Sequence, residues 1–411
     1  MLAKFLTLLF VVTAACGPAY SDTPTVRTGI EVLRESGFAI LKGKRVGLIT
    51  NPTGVDSKLK ATIDILHAAK NFRLVALFGP EHGVRGNVPA GQYVEHATDP
   101  ATGLPVYSLY GKTRKPTASM LKGIDALVYD IQDIGCRSYT YISTMGLAME
   151  AAAENNIEFI VLDRPNPLGG EKVEGNVVEK GFESFVSQYP IPYVYGLTCG
   201  ELATMLNEEG MLKKKCKLTV VPMKGWKRSM TFAETGLPWV QTSPHIPAPY
   251  SPAHYVSMGI LGELGVISEG VGYTIPFQTF AAEWIDPKQF AEKLNALTIS
   301  GLVFRPITFT PFYGKFKDKL LKGVQVHIAD YTKVNLMSLQ FICLQVHNEL
   351  YPTKNPFLLA DSSRISMFDK VAGSSQVRAL FTKRMQYDDL SHFLRKDVES
   401  FTSRSRKHLL Y

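Results

Sequence analysis

A chain of 411 residues is long enough for two domains, each with its own core. Its 45% apolar and 20% charged content is that of an ordinary soluble globular protein. The net charge of +8 is spread along the chain without a basic arm carrying interleaved aromatics, which argues against a nucleic-acid partner and leaves a weak preference for anionic polymers.

The N-terminus reads as an export signal over residues 1–21. Lys4 precedes an apolar stretch, residues 5–12, and then small residues, a span too short for a lasting transmembrane anchor. Two processing readings compete. Ala19-Tyr20-Ser21 gives a small-x-small site before Asp22, and Thr13-Ala14-Ala15-Cys16 resembles a lipoprotein box that would place a lipid anchor on Cys16. Either way the mature protein is expected outside the cytoplasm, periplasmic or secreted, with the soluble form preferred. Cys136, Cys199, Cys216 and Cys343 remain, and four cysteines in an oxidising compartment allow three pairings or none.

Four apolar runs then follow one plan. Residues 45–50 lead into Asn51-Pro52-Thr53-Gly54, and residues 74–77 into Phe78-Gly79-Pro80-Glu81-His82-Gly83. Residues 126–129 lead into Asp130-Ile131-Gln132-Asp133-Ile134-Gly135-Cys136-Arg137, and residues 159–162 into Asp163-Arg164-Pro165-Asn166-Pro167. Continuous β-prone runs that stop at Gly or Pro predict buried strands, and loops that only turn the chain have no need of so many charged groups. The four loops read as one composite rim at the carboxyl edge of a sheet, where ligands of α/β proteins gather.

Between the strands, residues 58–69 and 141–154 show helical patterning, and Thr198-Cys199-Gly200-Glu201 is a capping box opening a helix through Asn207. Another strand falls at residues 217–223. The alternation predicts an α/β fold, a Rossmann-like, doubly wound, mostly parallel sheet in a domain over residues 22–242. The proline-rich run Ser243-Pro244-His245-Ile246-Pro247-Ala248-Pro249 marks a linker or a rigid cleft wall. Beyond it, a helix near Asp286-Pro287, β-like runs at 302–310 and 323–328 and closing helical segments predict a smaller α+β domain over residues 243–411. A cleft between the two is the expected site.

No G-x-G-x-x-G follows a strand, and no Walker loop, G-x-S-x-G elbow, C-x-x-C or H-x-x-x-H spacing occurs, so neither cofactor nor metal is expected. What remains is acid–base chemistry, with Glu81, Asp130, Asp133, Asp163 and Glu269 as candidate carboxylates. Glycoside cleavage suits them, since a carboxyl of raised pKa or an imidazole protonates the departing oxygen while a second group handles water or the cationic transition state. Asp163 with Arg164, and Asp133 with Arg137, read alternatively as ion pairs that pin the loops, the first more readily than the second. Tyr139 and Tyr141 offer stacking faces for a sugar, or one of them belongs to the core.

The runs G-L-I-T-N-P-T-G-V-D (47–56), F-G-P-E-H-G-V-R-G (78–86), Y-D-I-Q-D-I-G-C-R-S-Y-T-Y-I (129–142), L-D-R-P-N-P-L-G-G (162–170), Y-G-L-T-C-G-E-L-A (195–203) and R-K-H-L-L-Y (406–411) resemble one bacterial family, the NamZ-type peptidoglycan exo-β-N-acetylmuramidases. The resemblance spans residues 28–411. It implies release of N-acetylmuramic acid from the non-reducing ends of peptidoglycan fragments, a Rossmann-like first domain, a smaller second domain and a cleft between them. It also implies that Glu81 is catalytic. Two stretches depart from the family pattern: P-S-P-N-x-P becomes Thr242-Ser243-Pro244-His245-Ile246-Pro247, and E-G-T-N-x-S-E-G-R-G-T-T-x-P-F-E becomes residues 262–278 of this chain.

The expectation is therefore an exo-muramidase in which Glu81 protonates the glycosidic oxygen, His82 assists, and Asp133 or Asp130 activates water or stabilises the oxocarbenium ion. Asn51, Arg85, Arg137, Tyr139, Asp163, Arg164, Asn166 and Glu269 are the expected substrate contacts. Arg137 and Arg85 are the candidates for the lactyl carboxylate, since arginine grips a carboxylate with two parallel bonds, and Arg137 is preferred because its loop also carries Asp130, Asp133 and Tyr139. A non-catalytic periplasmic binding protein for cell-wall sugars and an acid–base hydrolase of another glycan are the alternatives.

Overall fold

The computed structural model describes residues 26–86 and 97–411, so the expected export signal, its cleavage positions and Cys16 lie outside it. Seven strands form the first sheet: β1 (Arg45–Thr50), β2 (Arg73–Gly79), β3 (Ala97–Thr98), β4 (Pro105–Ser108), β5 (Ala126–Asp130), β6 (Glu158–Leu162) and β7 (Leu218–Val221). Their order is β3-β4-β2-β1-β5-β6-β7, parallel throughout except for β3 on β4.

Side-chain alternation explains why these strands read as unbroken apolar runs. Val46, Leu48, Val128 and Ile160 point to a layer formed by α1 (Gly29–Glu35) and α2 (Thr62–His67). Ile49, Leu127, Tyr129 and Phe159 point to the opposite layer, α3 (Tyr141–Glu154) and α4 (Cys199–Glu208). Both faces are covered, as a parallel sheet requires, so the expected doubly wound architecture is present. Cutting a residue such as Leu48 or Ile160 back to alanine costs about 2–5 kcal/mol at positions of this kind.

The capping box at Thr198 forms as expected, with both reciprocal bonds to Glu201. The helix expected over 58–69 shortens to α2, because Asp56 Oδ1 captures the amides of Lys58 and Lys60 at 3.0 and 2.9 Å. That local turn competes successfully with the first helical turn.

The second sheet is antiparallel, ordered β8 (Thr279–Ala282), β10 (Leu321–Ile328), β9 (Leu302–Phe309). It packs with α5 (Ser251–Gly262), α6 (Pro287–Ala296) and α7 (Leu336–Leu350), followed by short helices up to Ser405. Asp286 caps α6 by accepting from the amides of Lys288 and Gln289, both at 3.0 Å, just ahead of Pro287 at the first helical position.

The two parts are not separate bodies. Ile134, Cys136, Tyr193 and Val194 from the first half lie in the same buried cluster as α5 and α7. The chain end returns as well: Phe401 joins the core beneath α3 and α4, and the Tyr411 ring meets Trp226 edge-on at 5.1 Å. The last residues of the expected second domain, residues 243–411, thus also take part in the packing of the first sheet. All four cysteines of the described residues are free and buried, so none of the three pairings forms.

Candidate active site

β1, β2, β5 and β6 run parallel, so their carboxyl ends share one edge. Strand order reverses between β1 and β5, the switch point where such sheets usually bind ligands. Here that crevice is filled. Asp130 accepts from Arg164 Nε at 2.6 Å and Nη2 at 3.0 Å, and from Thr62 Oγ1 at 2.5 Å. The open cleft lies one strand away, at the end of β2.

β2 stops at Pro80, and Gly83 N returns to the Pro80 carbonyl at 3.0 Å. The turn holds His82 at φ 74° and Gly83 at φ 75°. A left-handed backbone at a residue with a side chain costs about 1–3 kcal/mol and tends to mark functional loops. This turn presents Glu81 to a cleft of about 330 Å³ shared by the two halves of the molecule. Glu81 Oε2 accepts from Thr140 Oγ1 at 3.2 Å. The Tyr110 hydroxyl is pushed up to about 12, first by burial and then by the Glu81 charge beside it.

The loop after β5 builds one wall. Tyr139 bonds Thr242 Oγ1 at 2.7 Å through its hydroxyl and meets Tyr255 edge-on at 5.7 Å. Ser138 Oγ bridges the hydroxyls of Tyr193 and Tyr255 at 3.0 and 3.1 Å. Tyr141 is core, 1% exposed, with its hydroxyl donating to the Thr242 carbonyl. Of the two tyrosines considered for stacking, Tyr139 is the one with an accessible face.

The opposite wall comes from the proline-rich stretch and α5. His245 lines the cleft and is held below its usual range by burial and by His82 across from it. Glu263, at the C-terminal cap of α5, also faces the cleft, and its carboxyl is raised by burial while Arg364 pulls the other way. Among the described residues, Glu81 and Glu263 are the two carboxylates that line this cleft, one from each half.

Several expected site residues lie elsewhere. Asp130 and Arg164 neutralise each other inside the protein, and Arg164 Nη2 also donates to the Val55 carbonyl at 2.8 Å, so neither is available to a sugar. Asp163 accepts from Gly200 N at 2.8 Å, Thr198 Oγ1 at 2.7 Å and Tyr411 at 2.8 Å, fastening α4 and the chain end to β6. Burial pushes it up to about 6. Asn166 bonds the Leu197 carbonyl at 3.0 Å and the Leu168 amide at 2.9 Å, shaping its own loop. Asn51 folds onto Thr53, with its Nδ2 buried and unpartnered.

Arg137 is the clearest correction. It is 0% exposed and donates to the carbonyls of Asn176, Ile191, Val371 and Ala372 at 2.7–3.2 Å, so it ties the two halves together and grips no ligand. Arg85 pairs with both oxygens of Asp99, at 3.0 and 3.1 Å. Asp133 sits beneath the cleft, its Oδ2 accepting from Gly135 N at 2.7 Å and from Tyr195, its Oδ1 buried without a partner. Burial raises it to about 6. Glu269 lies behind Glu263 and is pushed up to about 7, mainly by burial and further by Glu263.

The sequence reading missed Tyr110, Thr140, His245, Tyr255 and Glu263. Glu263 had one usable signal, its place six residues before Glu269 in the divergent run. Tyr110 had none, since it follows β4, a strand without a distinct apolar pattern.

A carboxylate on a strained turn, met by a second carboxylate and tyrosine faces across an open cleft, is the equipment of a glycoside hydrolase. The chain belongs to the exo-β-N-acetylmuramidase NamZ family, whose N-terminal and C-terminal domain models match residues 46–250 and 253–411. It is 45% identical over 388 residues to the peptidoglycan β-N-acetylmuramidase NamZ of Bacillus subtilis (strain 168), covering 94% of this chain and 92% of that protein. A crystal structure of a DUF1343 family protein from Bacteroides fragilis NCTC 9343 matches with TM-score 0.92 and 60% identity, over 95% of this chain and all of that one. A second DUF1343 family protein from that organism matches with TM-score 0.75 and 30% identity, over 94% and 99% of the two chains.

Proposed function

We propose that this protein is an exo-acting glycosidase that releases N-acetylmuramic acid from the non-reducing ends of peptidoglycan fragments, with Glu81 as general acid. The observation that carries the assignment to Glu81 is its position: it lines the interdomain cleft, whereas Asp130, Asp133 and Asp163 do not.

In this reading Glu81 gives its proton to the glycosidic oxygen as the bond to the anomeric carbon breaks. Thr140 and Tyr110 fix the carboxyl, and His82 holds the turn beside it. Glu263 takes the part first expected of Asp133 or Asp130, activating water or stabilising the cationic sugar from the other wall. Tyr139 and Tyr255 supply ring faces for the pyranose. An export signal at residues 1–21 would carry the enzyme to the periplasm, where peptidoglycan fragments arise and released sugar enters cell-wall recycling, as a soluble protein or one lipid-anchored at Cys16.

The test is release of the chromophore from an aryl N-acetylmuramic acid glycoside by wild type and Glu81→Gln. Turnover by wild type with a loss of about 10²–10⁴ in kcat for the variant is expected. Equal rates for the two proteins would remove Glu81 from the mechanism, and no turnover by wild type would remove the activity.

A further inference from the structure

The run over residues 262–274, divergent in sequence, is covered by a loop between β9 and β10. Phe312 N donates to the Gly272 carbonyl at 2.9 Å, and a Cβ on Gly272, at φ 96°, would stand 2.3 Å from the Tyr313 carbonyl oxygen. Only glycine lets the loop lie this close. The loop then reaches the cleft. The Tyr313 hydroxyl meets His245 Nε2 at 2.9 Å, with the rings stacked at 6.0 Å and 11°.

Two residues on, Lys315 passes over Gly265. A Cβ there would lie 2.8 Å from Lys315 Nζ and 3.6 Å from Arg364 Nε. Gly265 sits at φ 62°, two residues after the cleft-lining Glu263. Two exposed cations therefore converge over Gly265, on a loop whose Tyr313 reaches the cleft residue His245 and beside a turn that carries the cleft residue Glu263. Among the described residues neither forms a direct ion pair, whereas the neighbouring Lys319 is held by Glu283 at 2.9 Å. The carboxyls nearby are Glu263 and Glu269. Burial raises both while Arg364 pulls the other way, and among the described residues neither comes within ion-pair distance of the two cations.

We propose that Lys315 and Arg364, brought together over Gly265, bind the lactyl carboxylate that distinguishes N-acetylmuramic acid from N-acetylglucosamine. The assignment rests on the muramidase reading of the cleft and fills the role that Arg137 and Arg85, both engaged elsewhere, do not. Both cations are partly hydrated, so each contributes modestly and the contribution is screened by salt.

The experiment compares an aryl N-acetylmuramic acid glycoside with its lactyl primary amide, the same sugar without the negative charge. The acid-to-amide ratio in kcat/KM should fall roughly ten- to thirtyfold in Lys315→Ala/Arg364→Ala, carried by KM. Lys315→Arg should retain most of the ratio, and Lys319→Ala on the same loop should leave it unchanged. In wild type the ratio should shrink as salt rises, and in the double variant it should not. An active wild type whose ratio survives the double substitution overturns the anion site alone. A wild type inert toward both glycosides overturns the muramidase reading and this assignment with it.

Discussion

Arg164 closes on Asp130 with two parallel hydrogen bonds, 2.6 and 3.0 Å long, at a place where Asp130 has no exposed surface and Arg164 only 5%. This pair occupies the switch point of the sheet and so moves the cleft to the end of β2. Asp130→Ala strands a buried guanidinium, which typically costs 3–5 kcal/mol. The expected outcome in urea unfolding is a loss of about that size, with the folded fraction keeping its kcat. A dead enzyme of undiminished stability would put Asp130 back into the chemistry.

Arg137→Met should behave as a stability variant. It removes the donor to the carbonyls of Asn176 and Ile191, each worth about 1–3 kcal/mol when left unsatisfied, while Val371 and Ala372 keep Ser187 and Asn176 as donors. Thermal melts should show a large drop, or failure to accumulate folded protein. At a permissive temperature, preference for the lactyl acid over its amide should match wild type, since Arg137 does not reach the cleft.

Glu263→Gln should lower kcat by about 10²–10⁴ with little change in melting temperature, because it removes a cleft carboxylate whose side chain makes no hydrogen bond or ion pair to the described residues. Glu269→Gln should have a much smaller effect on kcat. Side-by-side turnover of the two variants measures which acid faces the substrate. A larger loss at Glu269 would reverse the assignment.

Asp133 gives a pH signature. Its folded-state pKa of about 6 lies above the ordinary 3.8, so the native protein binds a proton that the unfolded chain releases between these values. Stability from this group is present below about pH 4 and lost as pH rises through about 6. Asp133→Asn removes that dependence. Urea unfolding at pH 4 and pH 7.5 should show the variant gaining on wild type at the higher pH. A constant difference between the two proteins would mean that Asp133 titrates normally.

The strands of the first sheet and the place of Glu81 on a loop that lines the cleft were legible because local signals carry them: unbroken apolar runs, and an acid placed directly after a Gly-Pro stop. Which acids face the cleft was not legible. Asp130 is the last residue of β5, and its side chain turns inward to an arginine 34 positions away, a pairing that no local pattern encodes. Arg137 looked like a rim cation by its neighbours, yet its partners include Val371 and Ala372, more than 230 residues on. Glu263 was hidden for the opposite reason. It caps a largely apolar helix whose burial pattern speaks only of core.

Tyr411 reaches back to Asp163 and to the amide of Met223, with Leu410 N donating to Glu201. Asp163 sits at the end of β6, in a sheet whose strands are all made by residue 221. During synthesis at about 5–20 residues per second, that carboxylate therefore waits on the order of ten seconds or more for its last donor. The bonds that the last two residues make with the first sheet therefore close only after every strand of that sheet has been made, and they join the chain's last turn to its earliest layer.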